Sequence, residues 1–301
     1  MVKGGRYRMT TVASRKRLEP ADWIINIFLL ILTAVVLYPF IYMVSISVSD
    51  PVAVEFGKVR FLPVGWSWEA YLFVFNDPRL MLAYVNTIIY AVLGTSLSLL
   101  LTSLTAYPLS VKWFCMKKFI IKFLTVTMFF GGGLIPYYIT IRNLHMINTI
   151  WVMILPGAVS AWNVILYRTF FQSLPDSLGE SAYIDGANDI KILFQIILPL
   201  SKPLLVTMAL FSVVGIWNDY FTALIFLNDR SKYPLQMILR SILVQVELLN
   251  KDTAQLMMNF TVNSKTIKAA TIMVAMLPIM LVYPFIQKYF MQGMMIGSLK
   301  G

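Results

Sequence analysis

Glu180-Ser-Ala-Tyr-Ile-Asp-Gly186-Ala-Asn-Asp-Ile-Lys-Ile-Leu-Phe-Gln-Ile196-Ile-Leu198-Pro199 is a polar, helix-forming segment set between two long apolar runs. Those runs, 150–171 and 204–227, are each long enough to cross about 30 Å of hydrocarbon at about 1.5 Å per residue. A polar element of this size hung between two spans is suited to presenting a docking surface to a soluble partner. The plainer alternative is a surface loop with well-formed caps and no partner. The residues by themselves leave both open.

Working outward, the composition agrees with a membrane protein. Of 301 residues, 58% are hydrophobic and 13% charged. So few charges cannot cover the surface of a soluble domain of this size. Six runs can span, near 23–45, 83–107, 119–139, 150–171, 204–227 and 269–290. The expected architecture is therefore an all-α integral membrane protein with six transmembrane helices. It divides into a basic tail (1–22), a membrane domain (23–290) whose long inner loop is 172–203, and a C-terminal tail (291–301). In the third run Lys122 lies near one end and can snorkel, while Gly131-Gly132-Gly133 and Pro136 permit a bend or a close helix approach. Close packing is the role we favour there.

Lys3, Arg6, Arg8, Arg15, Lys16 and Arg17 precede the first span, and Lys112, Lys117 and Lys118 follow the second. Basic residues mark the cytoplasmic side, so both termini are expected there. The net charge of +11 thus reads as topology and contact with anionic lipid rather than nucleic-acid binding. The outer segments, near 46–82, 140–149 and 228–268, carry Trp66, Trp68, Tyr71 and Tyr233, aromatics suited to the membrane interface. One cysteine, Cys115, and one histidine, His145, supply neither a disulfide framework nor a metal site. No G-x-x-x-x-G-K-[ST] segment occurs, so the chain does not itself cradle nucleotide phosphates.

Within the loop, Pro175 stops the preceding helix, and Ser177-Leu-Gly-Glu180 fits a capping box that opens a short helix over about 178–185. Gly186 is placed to end it in the left-handed conformation. Asn188 can cap a second helix whose apolar residues Ile190, Leu193, Ile196 and Ile197 recur at helical spacing, and Pro199 ends it. Small residues at Ser181 and Ala182 allow a partner's cleft to approach closely.

At this point the residues resemble a known family. Glu180-Ser181-Ala182-x3-Gly186-x9-Ile196-x-Leu198-Pro199 is similar to the EAA loop, E-A-A-x3-G-x9-I-x-L-P, of ATP-binding-cassette (ABC) importer permeases, departing only at Ser181. Trp217-Asn218-Asp219 and the tail Gly293-Met-Met-Ile-Gly297 resemble the smaller, MalG-like permease of maltose-type carbohydrate importers. Phe130-Gly-Gly-Gly-Leu-Ile-Pro136, Asn148-Thr149 and Arg168-Thr-Phe-Phe171 resemble the YtcP-like branch, associated with oligosaccharides from polysaccharide breakdown. The resemblance implies a type I ABC importer permease fold in a bacterial plasma (inner) membrane. It implies a second homologous permease, two ABC ATPases that bind ATP and Mg themselves, and an extracytoplasmic solute-binding protein that delivers a sugar. No cofactor and no catalysis are expected in this chain. By matched position, Glu180, Ser181, Ala182, Gly186, Ile196, Leu198 and Pro199 form the ATPase-coupling element.

Trp217, Asn218 and Asp219 are candidates for the substrate path. Asp219 is the one acid well inside a span, where an ionisable group is costly unless it faces protein or water, and an aromatic face with hydrogen-bonding groups suits a polyol. Helix capping and cross-linking are the competing role, and the one we favour. Three other functions compete with the sugar importer. An ABC permease for a non-sugar solute shares the loop. A stand-alone secondary transporter commonly needs several buried ionisable groups, and a membrane enzyme needs convergent catalytic side chains; the spans offer neither.

Overall fold

A computed structural model describes residues 20–252 and 264–298 of the chain. The basic cluster from Lys3 to Arg17 that orients the topology lies outside the described residues. The first helix, α1 (Pro20–Ser47), is apolar all round and most of its length is exposed, as a lipid-facing helix must be. It packs on the last helix, α15 (Ser264–Ser298), which continues past the span end expected near 290. The connection after α1 holds α2 (Pro51–Glu55) and α3 (Glu69–Phe75). Its chain is folded back by a bridge between Ser49 and Trp66, and Ser49 Oγ accepts the Val64 N–H at 3.1 Å.

The centre of the molecule is α4 (Pro78–Ser110), a single 33-residue helix. Asp77 caps its start, accepting the Arg79 N–H at 2.9 Å and gripping the Arg79 guanidinium at 2.9 and 2.6 Å. That guanidinium holds the Asp77 carboxyl below its usual pKa, first through the side-chain hydrogen bond. The buried face of α4 is small and polar, with Gly94, Thr95, Ser98, Thr102, Ser103 and Ala106. Small residues let neighbouring helices approach closely where no hydrophobic driving force exists between them, and α8 (Ala161–Phe171) and α12 (Lys202–Trp217) both pack on α4.

Three of the six expected spans stay continuous: among the described residues, three helices are long and apolar enough to cross alone. The third run breaks into α5 (Lys117–Phe129) and α6 (Leu134–Asn143), which meet at 119°. Phe130 to Gly133 makes the corner. Gly133 has φ +77°, open to glycine at little cost, and a Cβ on Gly131 or Gly133 would meet nothing within 4 Å. The glycines therefore serve a bend and not the close helix approach expected of them. The fourth run breaks at Pro156-Gly157 between α7 (Trp151–Ile154) and α8. The fifth breaks after Trp217, resuming as α13 (Phe221–Phe226).

At the end of the bundle away from 172–203, α14 (Leu235–Asp252) is amphipathic. It buries Leu235, Ile238, Leu239 and Ile242 in a core shared with Val74, Trp217 and Val274. Asn148, at φ +59°, ties the outer turns together. Its Oδ1 accepts the N–H groups of Asn228 and Asp229 at 3.1 and 2.9 Å, and its carbonyl accepts Lys232 Nζ at 2.8 Å. His145 occupies the left-handed position that closes α6, where its N–H donates to the Arg142 carbonyl at 3.0 Å. The lone histidine is thus structural. Arg168 donates from Nε to the Leu109 carbonyl at 3.0 Å, near the end of α4.

Candidate functional site

The segment 172–203 folds into two short arms joined at Gly186. The first, α9 (Asp176–Ile184), starts two residues earlier than the capping-box reading places it. Pro175 occupies the N-cap position with φ −60°, and Asp176 lies in the first turn, where the helix dipole favours a negative charge. Ser177 is thereby drawn inside the helix, and no side chain caps the start. The far end matches expectation. Gly186 has φ +77°; its N–H donates to the Tyr183 carbonyl at 3.0 Å and the Ala187 N–H to that of Ala182 at 2.9 Å. This is the bond pair of a Schellman closure.

Asn188 caps α10 (Asp189–Ile192), its Oδ1 accepting the Lys191 N–H at 2.9 Å. The Tyr183 hydroxyl donates to Asp189 Oδ1, linking the two arms across the turn. Burial, then that hydrogen bond, pushes the Tyr183 phenol above its usual pKa. The second arm does not stop at Pro199. It passes through a π turn, Leu193–Ile197, into α11 (Leu198–Leu200). The wider turn relieves the clash and missing donor that a proline imposes on a regular helix. The break comes at Ser201. Its N–H donates to the carbonyls of Ile197 and Leu198 at 2.9 and 3.1 Å, and its hydroxyl to Ile197 at 2.7 Å. From there the chain turns 82° into α12.

The element has two unlike faces. Ala182, Ile192, Leu193 and Ile197 are buried with Tyr107, Leu109, Tyr167, Phe171 and Leu204 from the helix ends above. Ile196 and Leu198 pack half-buried against the same core. The small side chain at Ala182 thus serves contact with the chain's own core. On the other face Glu180, Ser181, Gly186 and Pro199 are exposed, and so are Ile184 (87%), Ile190 (65%) and Phe194 (43%). Ile190, read from its spacing as inward, points out; Ile192 takes the inner place. Lys112, in the α4–α5 loop, reaches Asp176 at 2.5 Å. Both side chains are largely exposed, so this contact steadies the arm only modestly.

The second feature is a cavity of about 560 Å³ bounded by α4, α6, α7, α8, α12 and α13. Its lining includes Ser98, Tyr137, Asn163, Phe211, Ser212 and Thr222, hydroxyl, amide and aromatic groups on runs otherwise apolar. The three path candidates divide. Trp217 faces away, 6% exposed, its Nε1 donating to the Ala275 carbonyl at 3.1 Å and its ring 6.2 Å from that of Tyr84. Asn218 and Asp219 line the cavity. Asp219 Oδ1 also accepts the Thr222 N–H at 3.0 Å, so it caps α13 while facing the cavity. Helix α12 ends at Trp217, and the irregular residues after it turn the two polar side chains away from the indole. The sequence reading missed Ser98 and Ser212. Their only signal was a hydroxyl on an apolar helix, which more often serves helix packing.

With this geometry in hand, the comparisons are specific. The family model described as binding-protein-dependent transport system inner membrane component matches residues 9–296. The chain is 38% identical over 280 residues to the polygalacturonan/rhamnogalacturonan transport system permease protein YtcP of Bacillus subtilis (strain 168), covering 93% of this chain and 98% of that protein. It is 40% identical over 270 residues to Protein LplC of the same organism, covering 89% and 90%. Among solved structures, a chain of a bacterial ABC transporter involved in the import of the acidic polysaccharide alginate superposes with TM-score 0.83 at 34% identity, covering 91% of this chain and 99% of that one.

Proposed function

This chain belongs to the family of binding-protein-dependent transport system inner membrane components, and from that premise we propose that it is one of two permease subunits of an ABC importer for an oligosaccharide. It is a multi-pass membrane protein of the type I permease fold. In the proposed assembly a second, homologous permease completes the pathway. Two ATPases hold ATP and Mg in their own sites, and an extracytoplasmic binding protein delivers the sugar. Both termini lie in the cytoplasm, and this chain performs no chemistry itself.

The observation that carries the reading is the two-faced element 172–203. Its inner face is fixed to the ends of α4, α8 and α12, while its outer face bares Ile184, Ile190 and Phe194. Exposed apolar side chains clustered on an otherwise polar element mark a protein contact, and that contact is with an ATPase. Glu180, Ser181 and Gly186 lie on the same exposed side, whereas Ala182, Ile196, Leu198 and the Ser201 corner connect it to the bundle. Closure of the ATPase pair would push on the outer face, and the 82° corner would pass the push to α12 as a rigid lever. Asn218 and Asp219 would meet the sugar in the cavity, with Trp217 holding the wall.

The carbohydrate assignment rests on the relatives, whose names and descriptions give polygalacturonan, rhamnogalacturonan and alginate. Affinity purification of the tagged chain from its host membranes in mild detergent tests the assembly. We expect a second permease of this family and an ABC ATPase to copurify, with oligosaccharide-stimulated ATP hydrolysis after the binding protein is added. Recovery of the chain alone, active in solute uptake without nucleotide, would overturn the proposal.

A further inference from the structure

Arg240, on the exposed side of α14, lies with its guanidinium carbon 4.3 Å from the centre of the Tyr220 ring. Stacking on an aromatic face fixes the guanidinium plane but leaves its N–H donors free around the edge, the geometry that grips a carboxylate through two bonds. No acidic side chain meets those donors: among the described residues Arg240 takes part in no ion pair. One turn earlier on the same face, Gln236 Nε2 donates to Asn218 Oδ1 at 3.4 Å, a long bond readily exchanged for a ligand's. Asn218 lines the cavity and Gln236 reaches it, so the amide pair adjoins the cavity wall and the Arg240 cation lies one turn further along α14. The other outer groove, of about 550 Å³ beside Arg79 and Arg230, is less suited, because Asp77 already holds Arg79.

We propose that Arg240, stacked on Tyr220 and flanked by the Asn218–Gln236 amides, is a carboxylate-reading subsite beside the cavity, and that it selects oligosaccharides bearing uronate groups. The inference rests on the permease reading above and adds to it the residue that recognises the charge of the substrate. Asp219 works in the opposite sense. Its carboxylate repels a second uronate at its own position and accepts bonds from sugar hydroxyls, so the two residues together set the substrate's register. The same guanidinium chemistry would also suit the phosphate of an anionic lipid headgroup, and the test separates the two.

The complete transporter, with its partner subunits and binding protein, is reconstituted in phosphatidylcholine nanodiscs with and without phosphatidylglycerol. Substrate-stimulated ATP hydrolysis is measured with an oligogalacturonate and its methyl-esterified counterpart, each presented on binding protein shown to be loaded. Arg240→Gln should lower the response to the acid by about tenfold, the scale of a lost charge-assisted bond pair, and leave the ester within about twofold. Arg240→Lys keeps the charge without the fork and should fall between. Equal changes for acid and ester, or none, overturn the proposal. So does a loss that appears only with phosphatidylglycerol, which assigns Arg240 to lipid. If the unaltered complex responds to neither sugar, the oligosaccharide reading fails; a response to the acid that is indifferent to Arg240 sinks this inference alone.

Discussion

At the scale of the residue, Gly186 and Asp219 mark the two extremes of what one side chain settles. Gly186 holds φ +77° and nothing lies within 4 Å of where a Cβ would sit, so its requirement is conformational and not steric. A left-handed position costs an ordinary L-residue about 1–2 kcal/mol. Proline cannot adopt it at all and has no N–H to give to Tyr183. Gly186→Pro should therefore leave membrane levels near normal and abolish sugar uptake; immunoblots of membranes beside a radiolabelled uptake assay check this, and normal uptake would refute the lever. Gly186 was legible in the sequence because few residues tolerate that backbone. The division of Trp217 from Asn218 and Asp219 was not, because it depends on where α12 ends and what then faces Ala275.

At the scale of the element, the two arms of 172–203 act together only if their ends are fixed. Asn188 Oδ1 closes the start of the second arm on the Lys191 N–H, and the Tyr183–Asp189 bond joins it to the first. Replacing an N-cap asparagine by alanine costs about 1 kcal/mol. Most of the arm's inner face stays buried, so Asn188→Ala should loosen the lever without unfolding it. We expect ATP hydrolysis by the assembled transporter to persist while the sugar moved per ATP falls several-fold. A parallel fall in both would instead mean lost assembly. The caps were readable from residue type at Asn188 and Gly186. The opening of α9 was misread because Pro175, taken only as the stop of the previous helix, also starts the next one. The π turn at Leu193–Ile197 had no signal beyond Pro199, which the reading took as a terminus.

At the scale of the whole molecule, the broken runs pack on one long central helix. Exposed α1 lies on α15, α4 runs through the centre, and the corners at 155–160 and 218–220 contribute to the cavity wall. Its sidedness can be tested with the one cysteine. Cys115 is exposed in the α4–α5 loop, close in sequence to Lys112, which reaches Asp176 on the first arm of 172–203. A membrane-impermeant maleimide should label it in inside-out vesicles and not in intact cells. Labelling from outside would invert the assigned orientation. The sequence by itself determined the membrane class, the long spans, the two-armed element at 172–203 and the family. Each of these rests on hydropathy, on backbone conformations few residues accept, or on spacing along the chain, which are local properties. Only the tertiary structure decided which runs stay straight, which face of the element at 172–203 is free, and which polar groups share a cavity. Those depend on residues far apart in the chain: Trp217 bonds to Ala275, Arg168 to Leu109, and Ala182 shares a buried cluster with Tyr107. Periodicity can tell that a helix has an inner face, but not what lies against it.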